Sequence, residues 1–327
     1  MIKVGVIGTG VMGAGHARFI NQNVSNAQVI GISDINVSGM QALSDELKTI
    51  KFQTTNPEEL AQNPEIDALL IASPDQFHAD QLRLALKYKK PTLCEKPLAS
   101  TLEDARAITK EIDEVEASLG KKLINIGFMR RFDPGFIKVK EVVNSGKLGK
   151  PLYVRVVSRN HFSPGTTSEG ILINSAVHDF DIYRWMFNSE WESVQPFHPR
   201  HTDQAPEDVK DPLIFIAKMK NGIVLMANAS ANGAAGYDTR AEVVCETGSV
   251  ELGPFGDVAV RTLDNFEANK GGKMEINWMK KFEQAYIDEL KAWIAEIETG
   301  VVNTNFATHR DALIANETAQ LGADLFR

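Results

Sequence analysis

Residues 2–34 restrict this chain more than any other stretch. Ile2, Val4, Val6 and Ile7 form an apolar run suited to a short buried strand, and Gly8-Thr9-Gly10-Val11-Met12-Gly13 follows at once. In a strand–turn–helix unit the first glycine permits the tight turn and the second lets backbone approach a diphosphate. The third lets the helix lie close to the strand. The helix start, at Val11 and Met12, offers unbonded N–H groups and the positive end of a dipole, which suit a phosphate. A second apolar run, Val29-Ile30-Gly31-Ile32, ends at Ser33-Asp34, 21 residues beyond Gly13. A carboxylate there accepts hydrogen bonds from an adenosine ribose and repels a 2′-phosphate, which selects NAD over NADP. A glycine-rich turn alone is often only a turn. Strand, helix and acid in register make this one a dinucleotide site.

The chain continues the pattern. Helices are expected over Met12–Ile20 and Val37–Leu47, and another starts at Asn56-Pro57-Glu58-Glu59, where Asn56 caps and Pro57 opens the first turn. Residues 66–72 are a short apolar run fit for a central parallel strand, Thr92-Leu93-Cys94 make another, and Leu123-Ile124-Asn125-Ile126 one more. Thr101-Leu102-Glu103-Asp104 resembles a capping box for a helix ending at Gly120. Alternating strands and helices imply a Rossmann domain over residues 1–123.

Beyond that point the alternation stops. Asp133-Pro134 starts a helix, Tyr153–Val157 reads as a strand, 161–173 as a polar loop, and Ser175–Phe187 as a helix. Strands then recur without helices between them. Asn221-Gly222 is flanked by Leu213–Met219 and Ile223–Ala229, and Thr247-Gly248 by two more short runs, both hairpin signals. Two helices close the chain, near 280–298 and 309–326. Residues 124–327 are therefore expected to form a second, α+β domain with a large, mostly antiparallel sheet. The whole is an α/β protein of two domains, as 327 residues suggest.

Bulk properties exclude several partners. A formal net charge of −8 argues against a nucleic-acid groove or an anionic membrane surface. Cys94 and Cys245 follow no metal-ligand spacing and suit a reduced, cytoplasmic protein. No apolar run is long enough to cross a bilayer, and no signal peptide is expected before the first strand. His198-Pro199-Arg200-His201 lacks further ligands nearby, so no metal is expected.

Three clusters carry chemistry. Glu95-Lys96-Pro97 follows a strand directly, which puts Lys96 at the edge of the sheet where open α/β sheets bind ligands. An ammonium there can polarise a substrate hydroxyl; away from a cofactor it is only a lysine before a loop proline. Residues 174–181 form the second cluster, with Asn174, His178 and Asp181 on one helical face. Histidine can take a proton from an alcohol near neutral pH, or it can be an interface residue bonded to its neighbours. Arg130 and Arg131, between aromatic residues, suit a diphosphate or a polyhydroxylated ligand, and equally an inter-domain salt bridge.

With these pieces in order, the chain resembles the glucose-fructose oxidoreductase / inositol dehydrogenase / MocA family over nearly its whole length. The residues that carry the likeness are Gly8-x-Gly10-x-x-Gly13, Ser73-Pro74 with His78, Glu95-Lys96-Pro97, Gly127-Phe128-Met129-Arg130-Arg131, and His178-x-x-Asp181. The Gly-Phe-Met-Arg-Arg stretch is most like the inositol 2-dehydrogenase branch. The resemblance implies NAD as cofactor, held by Gly8, Gly10, Val11, Met12, Gly13, Asp34, Ser73, Pro74, His78, Glu95 and Lys96. It implies Lys96 and His178 as the catalytic pair with Asn174 beside them. The resemblance further implies that residues 124–327 are a substrate-binding and oligomerisation domain: Met129, Arg130, Asp181 and Tyr237 would meet a polyol or sugar, and the open sheet would make a homo-oligomer, a tetramer or a dimer.

Two positions depart from that branch. Inositol dehydrogenases carry aspartate where this chain has Asn174, and an amide cannot take up a proton or stabilise an imidazolium by charge. A substrate-binding histidine on the first strand of the second domain is replaced by Ser158, with His161 close by. The reading that follows is NAD-dependent oxidation of a secondary hydroxyl of a cyclic polyol or sugar. Two alternatives stand beside it: retained NAD with transient oxidation that leads to elimination or glycoside cleavage, and a redox-silent NAD-binding regulator.

Overall fold

The computed structural model describes all residues except 162, 164, 234, 235, 254–256, 263–265, 269–274, 276 and 327. Two compact units emerge. The first comprises Met1–Met129 with Gln284–Ile314, and the second Arg130–Glu283 with Ala315–Arg327. The strand–helix alternation that marks residues 1–123 carries no sign that the later segment 284–314 joins the first unit. Ile126 pairs with Ala307 there through an isolated bridge, and Asn125 Nδ2 donates to Glu296 Oε1 at 3.0 Å.

The first unit holds a six-stranded parallel sheet: β1 (Ile2–Ile7), β2 (Ala27–Ser33), β3 (Phe52–Thr54), β4 (Ala68–Ile71), β5 (Thr92–Glu95) and β6 (Ile124–Gly127). Their order is β3-β2-β1-β4-β5-β6, all neighbours parallel. The chain reverses its direction of travel across the sheet between β3 and β4. The crevice outside the carboxyl ends of β1 and β4 is therefore the switch point at which such sheets bind ligands. β4 is buried at all four residues, as a strand covered on both faces must be. β3 is too short and too polar to be read in advance from Phe52-Gln53-Thr54.

The second unit is built on an eight-stranded sheet: β7 (Pro151–Arg159), β8 (Trp191–Phe197), β9 (Leu213–Met219), β10 (Val224–Ser230), β11 (Asp238–Cys245), β12 (Gly248–Leu252), β13 (Val258–Thr262) and β14 (Phe266–Ala268). The order is β14-β13-β12-β11-β7-β10-β9-β8. Only the β7–β10 pair is parallel. The Asn221-Gly222 hairpin forms as expected: Gly222 takes φ +90°, and Asn221 Oδ1 accepts from the Ile223 N–H. Along β9 burial alternates, with Leu213, Phe215, Ala217 and Met219 covered and Ile214 and Ile216 outward. The covered face meets the helix Val177–Phe187, where Phe180 lies 5.5 Å from Phe215 between ring centres. Burial of each such ring is worth roughly 2 kcal/mol. Trp191 Nε1 donates to the Phe180 carbonyl and locks the helix to β8.

The approach to that helix differs from expectation. Residues 168–176 are helical instead of belonging to a loop that ends at 173. Thr167 Oγ1 caps a first turn by accepting from Gly170 N at 3.0 Å, and Ile171–Ala176 then winds as a π-helix before the α-helix begins at Val177. Ile171, Leu172 and Ala176 are buried, so packing rather than helix propensity sets this stretch.

Candidate active site

In the first unit, a cavity of about 670 Å³ opens at the switch point. Gly8, Gly10, Val11, Met12, Asp34, Ser73 and Pro74 line it, as the sequence suggests, together with Thr9, Ile35, Asn36, Thr55, Phe77 and Gln81. The glycines divide the work. Gly8 has φ +88°, and a methyl there would lie 2.5 Å from the Ser73 nitrogen. A methyl on Gly13 would lie 1.8 Å from the Gly8 carbonyl oxygen, so this residue secures the contact of helix and strand. A methyl on Gly10 meets nothing within 4 Å. Gly10 is therefore absent a side chain for the sake of something other than this chain, and an open backbone at a helix start fits a diphosphate. The helix Val11–Asn23 has no side-chain cap and no acid in its first turn, so its start carries no charge of its own that would repel a phosphate.

Asp34 is held ready at the far side of the turn. Its Oδ2 accepts from the Thr9 N–H at 2.6 Å and from the Thr9 hydroxyl at 3.0 Å, and its Oδ1 from the Asn36 N–H at 2.9 Å. Burial pushes the carboxyl up, but the Asn36, Thr9 and Ile35 N–H groups and the Thr9 hydroxyl outweigh it, so the pKa lies below the ordinary aspartate value. The group is an anion with acceptor capacity left for a ribose diol. These residues fit NAD: an open glycine backbone for the diphosphate, and a fixed carboxylate for the ribose.

Gly13, His78, Glu95 and Lys96 lie outside the cavity lining. Glu95 ends β5 and bonds His16 Nε2 through Oε1 at 2.8 Å, and Lys96 follows it. His78 is buried, with Nδ1 2.7 Å from the Pro97 carbonyl oxygen and Nε2 2.9 Å from that of Ser73.

In the second unit, the two arginines are each matched to an aspartate. Arg130 Nη1 donates to Asp179 Oδ1, and Arg131 donates to both oxygens of Asp181 at 2.9 and 2.6 Å. All four side chains are 3% exposed or less. Both pairs lie within the second unit. Ser158 joins the first pair: it accepts from Arg130 Nη2 at 3.3 Å and donates to Asp179 Oδ1 at 3.2 Å. Burial works against the Arg130 charge, and Asp179 more than offsets it, raising its pKa above the ordinary value. Burial raises the Asp179 carboxyl, with Arg130 and the Ser158 hydroxyl opposing.

His178 is buried on the α-helix next to Asp179, and Asp181 lies one turn on, in contact with Arg131. Asn174 is exposed and belongs to the π-helical turn, so the spacing of four to His178 does not place the two on one α-helical face. His161 is exposed, with Nδ1 3.0 Å from the Gly233 carbonyl oxygen. Tyr237 is buried, edge-on to Phe282 at 6.0 Å, and Met129 closes the first unit's segment as a buried residue. Thr9, His16 and Asp179 have parts in these arrangements that the sequence reading missed. Two adjacent arginines and an Asp-x-Asp pair were the available signal for Asp179.

Comparison with known proteins agrees with this geometry. Residues 2–121 match the model of an oxidoreductase family with an NAD-binding Rossmann fold, and residues 136–251 match the GFO/IDH/MocA C-terminal domain. The chain is 33% identical to inositol 2-dehydrogenase 2 of Paenarthrobacter aurescens over 98% of its own length and 94% of that protein's. It is also 33% identical to an inositol 2-dehydrogenase/D-chiro-inositol 3-dehydrogenase of Shouchella clausii, over 90% of this chain and 83% of the relative. Among solved structures, myo-inositol dehydrogenase from Lactobacillus casei, crystallised with NAD(H) and myo-inositol, superposes with a TM-score of 0.86. That structure shares 30% identity and is matched over 98% of this chain and 93% of its own. The chain belongs to the GFO/IDH/MocA family of NAD-binding oxidoreductases.

Proposed function

We propose that this protein is an NAD-dependent dehydrogenase that oxidises a secondary hydroxyl of a cyclic polyol of the inositol class. The observation that carries the reading is the full-length likeness to inositol dehydrogenases, one of them crystallised with NAD(H) and myo-inositol, joined to an intact dinucleotide cavity. The same likeness favours net dehydrogenation over retained-cofactor chemistry or a silent regulator.

Gly8, Gly10, Val11 and Met12 would hold the diphosphate, and Asp34 the adenosine ribose. Ser73 and Pro74 would wall the cavity. NAD, once bound, supplies the acceptor for the carbinol hydride. Lys96 polarises the substrate oxygen, and His178 takes the hydroxyl proton as the carbonyl forms. Asn174 serves as a hydrogen-bonding partner for substrate or imidazole, not as a charge. Met129, Arg130, Ser158, His161, Asp181 and Tyr237 shape the polyol side. Arg130 and Asp181 do so as fixed ion pairs that stiffen the wall, since each is already engaged.

We also place the protein in the cytoplasm as a homo-oligomer, a tetramer or a dimer, joined through the open sheet. Two buried free thiols and an outward sheet face bearing Ile214, Ile216 and Met226 support this. Among the described residues no helix is long and apolar enough to cross a membrane.

The test is a panel of inositols and aldoses offered with NAD and with NADP, read by NADH absorbance. Net NADH from at least one inositol, with NAD preferred, is the expected result. Product without net NADH points to the retained-cofactor reading. Cofactor binding with no turnover on any compound removes the enzymatic one.

A further inference from the structure

Lys96 lies between two residues that are each gripped by a buried imidazole. On one side His16 Nε2 lies 2.8 Å from Glu95 Oε1; on the other His78 Nδ1 lies 2.7 Å from the Pro97 carbonyl oxygen. His16 is 2% exposed and His78 1%. Each ring has a second anchor. His16 meets the Tyr286 ring edge-on at 5.4 Å between centres. His78 Nε2 lies 2.9 Å from the Ser73 carbonyl oxygen, and the Ser73 hydroxyl donates to Gln81 Oε1 at 2.7 Å. Every one of these residues belongs to the first unit.

We propose that His16 and His78 are positioning residues that fix the chain on both sides of Lys96 and thereby the line along which its ammonium is delivered. The inference rests on the role given to Lys96 above. A lysine side chain has four rotatable bonds, so its aim depends on how firmly its backbone is set. An error of about 1 Å at a reacting group costs about a hundredfold in rate. Glu95 offers a side chain to hold and Pro97 a carbonyl, and a histidine holds each. Neither imidazole lines the cofactor cavity. Carbonyl oxygens only accept, so a ring N–H of His78 must donate to hold the Pro97 carbonyl. Glutamine at this position keeps a donor, and leucine keeps none.

Lys96 itself separates positioning from general support of the fold. Residues that act through one group lose their effect once that group is gone. The experiment compares full-length His78→Leu, His78→Gln, His16→Phe, Lys96→Met and the double variant Lys96→Met/His78→Leu. NADH formation is followed with NAD and myo-inositol, and NAD affinity is read without polyol from tryptophan quenching. His78→Leu is expected to lose about a hundredfold in kcat and His16→Phe about tenfold, with NAD dissociation constants within about threefold of the parent. His78→Gln should recover part of the loss, and the double variant should be no slower than Lys96→Met. Parallel losses of kcat and NAD affinity, or a double variant slower by the whole His78→Leu factor, overturn the inference and leave Lys96 in its role. Parental turnover in Lys96→Met instead overturns the reading beneath it. Should His78→Leu fail to fold, His78→Gln and His16→Phe give the same decision from the kcat-against-affinity split.

Discussion

The two units prepare for a ligand in different ways. In the first, the binding surface is largely backbone: Gly8 and Gly10, an uncapped helix start and one carboxylate steadied by N–H groups. In the second, the polar centre is a set of polar side chains, Arg130 with Asp179 and Ser158, Arg131 with Asp181, which pair with one another and leave Arg130 Nε and Asp179 Oδ2 buried without a hydrogen-bond partner among the described residues. A backbone site tolerates no side chain where the ligand lies close, so it writes itself into the sequence as glycines at set spacings. A side-chain network can be assembled from positions far apart in the chain, and its members look like any other charged residues until they are folded.

Four measurements sharpen or break this contrast. The largest effect is expected at Lys96, the side chain proposed to polarise the substrate oxygen. Lys96→Met should lower kcat by about a thousandfold with NAD affinity nearly unchanged. If turnover survives, the first unit only carries the cofactor and the second does the chemistry alone. Next, Asp179→Asn leaves the buried Arg130 without its counter-charge and should cost about 3–5 kcal/mol of stability in urea unfolding. A loss below about 1 kcal/mol would show that the second unit does not depend on the pair.

A smaller effect should separate two glycines only three residues apart. Gly10→Ala should keep the parental melting temperature while weakening NAD at least about tenfold, or about 1.4 kcal/mol. Gly13→Ala should lower the melting temperature as well, because its methyl collides with the Gly8 carbonyl. Equal behaviour of the two would remove the distinction between a ligand-facing and a packing glycine. The smallest effect concerns pH. The folded pKa of Asp34 is lowered, so the stability its ionised form contributes is fully present above the ordinary value near ~3.9 and is lost only as pH falls through the lower folded value. NAD affinity should therefore stay flat from about pH 8 down to about pH 5. A decline within that range would assign another group to the ribose.

Much of the first unit was legible because its rules are local. Strand, turn, helix and acid fall within residues 2–34, and the apolar run of β4 shows a strand covered on both faces. Hairpins at Asn221-Gly222 and Thr247-Gly248 were equally local. What stayed hidden was pairing at a distance. Arg130 and Asp179 are 49 residues apart, and nothing near either one names its partner. Glu95, at the end of β5, is a cofactor contact by family resemblance alone, and nothing near it in the sequence names the bond of its carboxylate to His16, 79 residues earlier. The helical turn over 168–176 was hidden for another reason. A polar stretch from 161 masks its start, and its winding is imposed by packing of Ile171 and Leu172, not by periodicity.

That wide turn has a use for anyone who wishes to alter this protein. Ile171–Ala176 winds more slackly than the α-helix it feeds, and such a segment is commonly one residue longer than a regular turn requires. Removing one residue from it would let the winding tighten to the regular form. The turns on either side would keep about their present facing, because the wide turn takes up the extra residue, and only the segment itself would be rewound. Asn174 could thus be re-aimed relative to His178 by shortening the chain, with no ligand-facing residue exchanged.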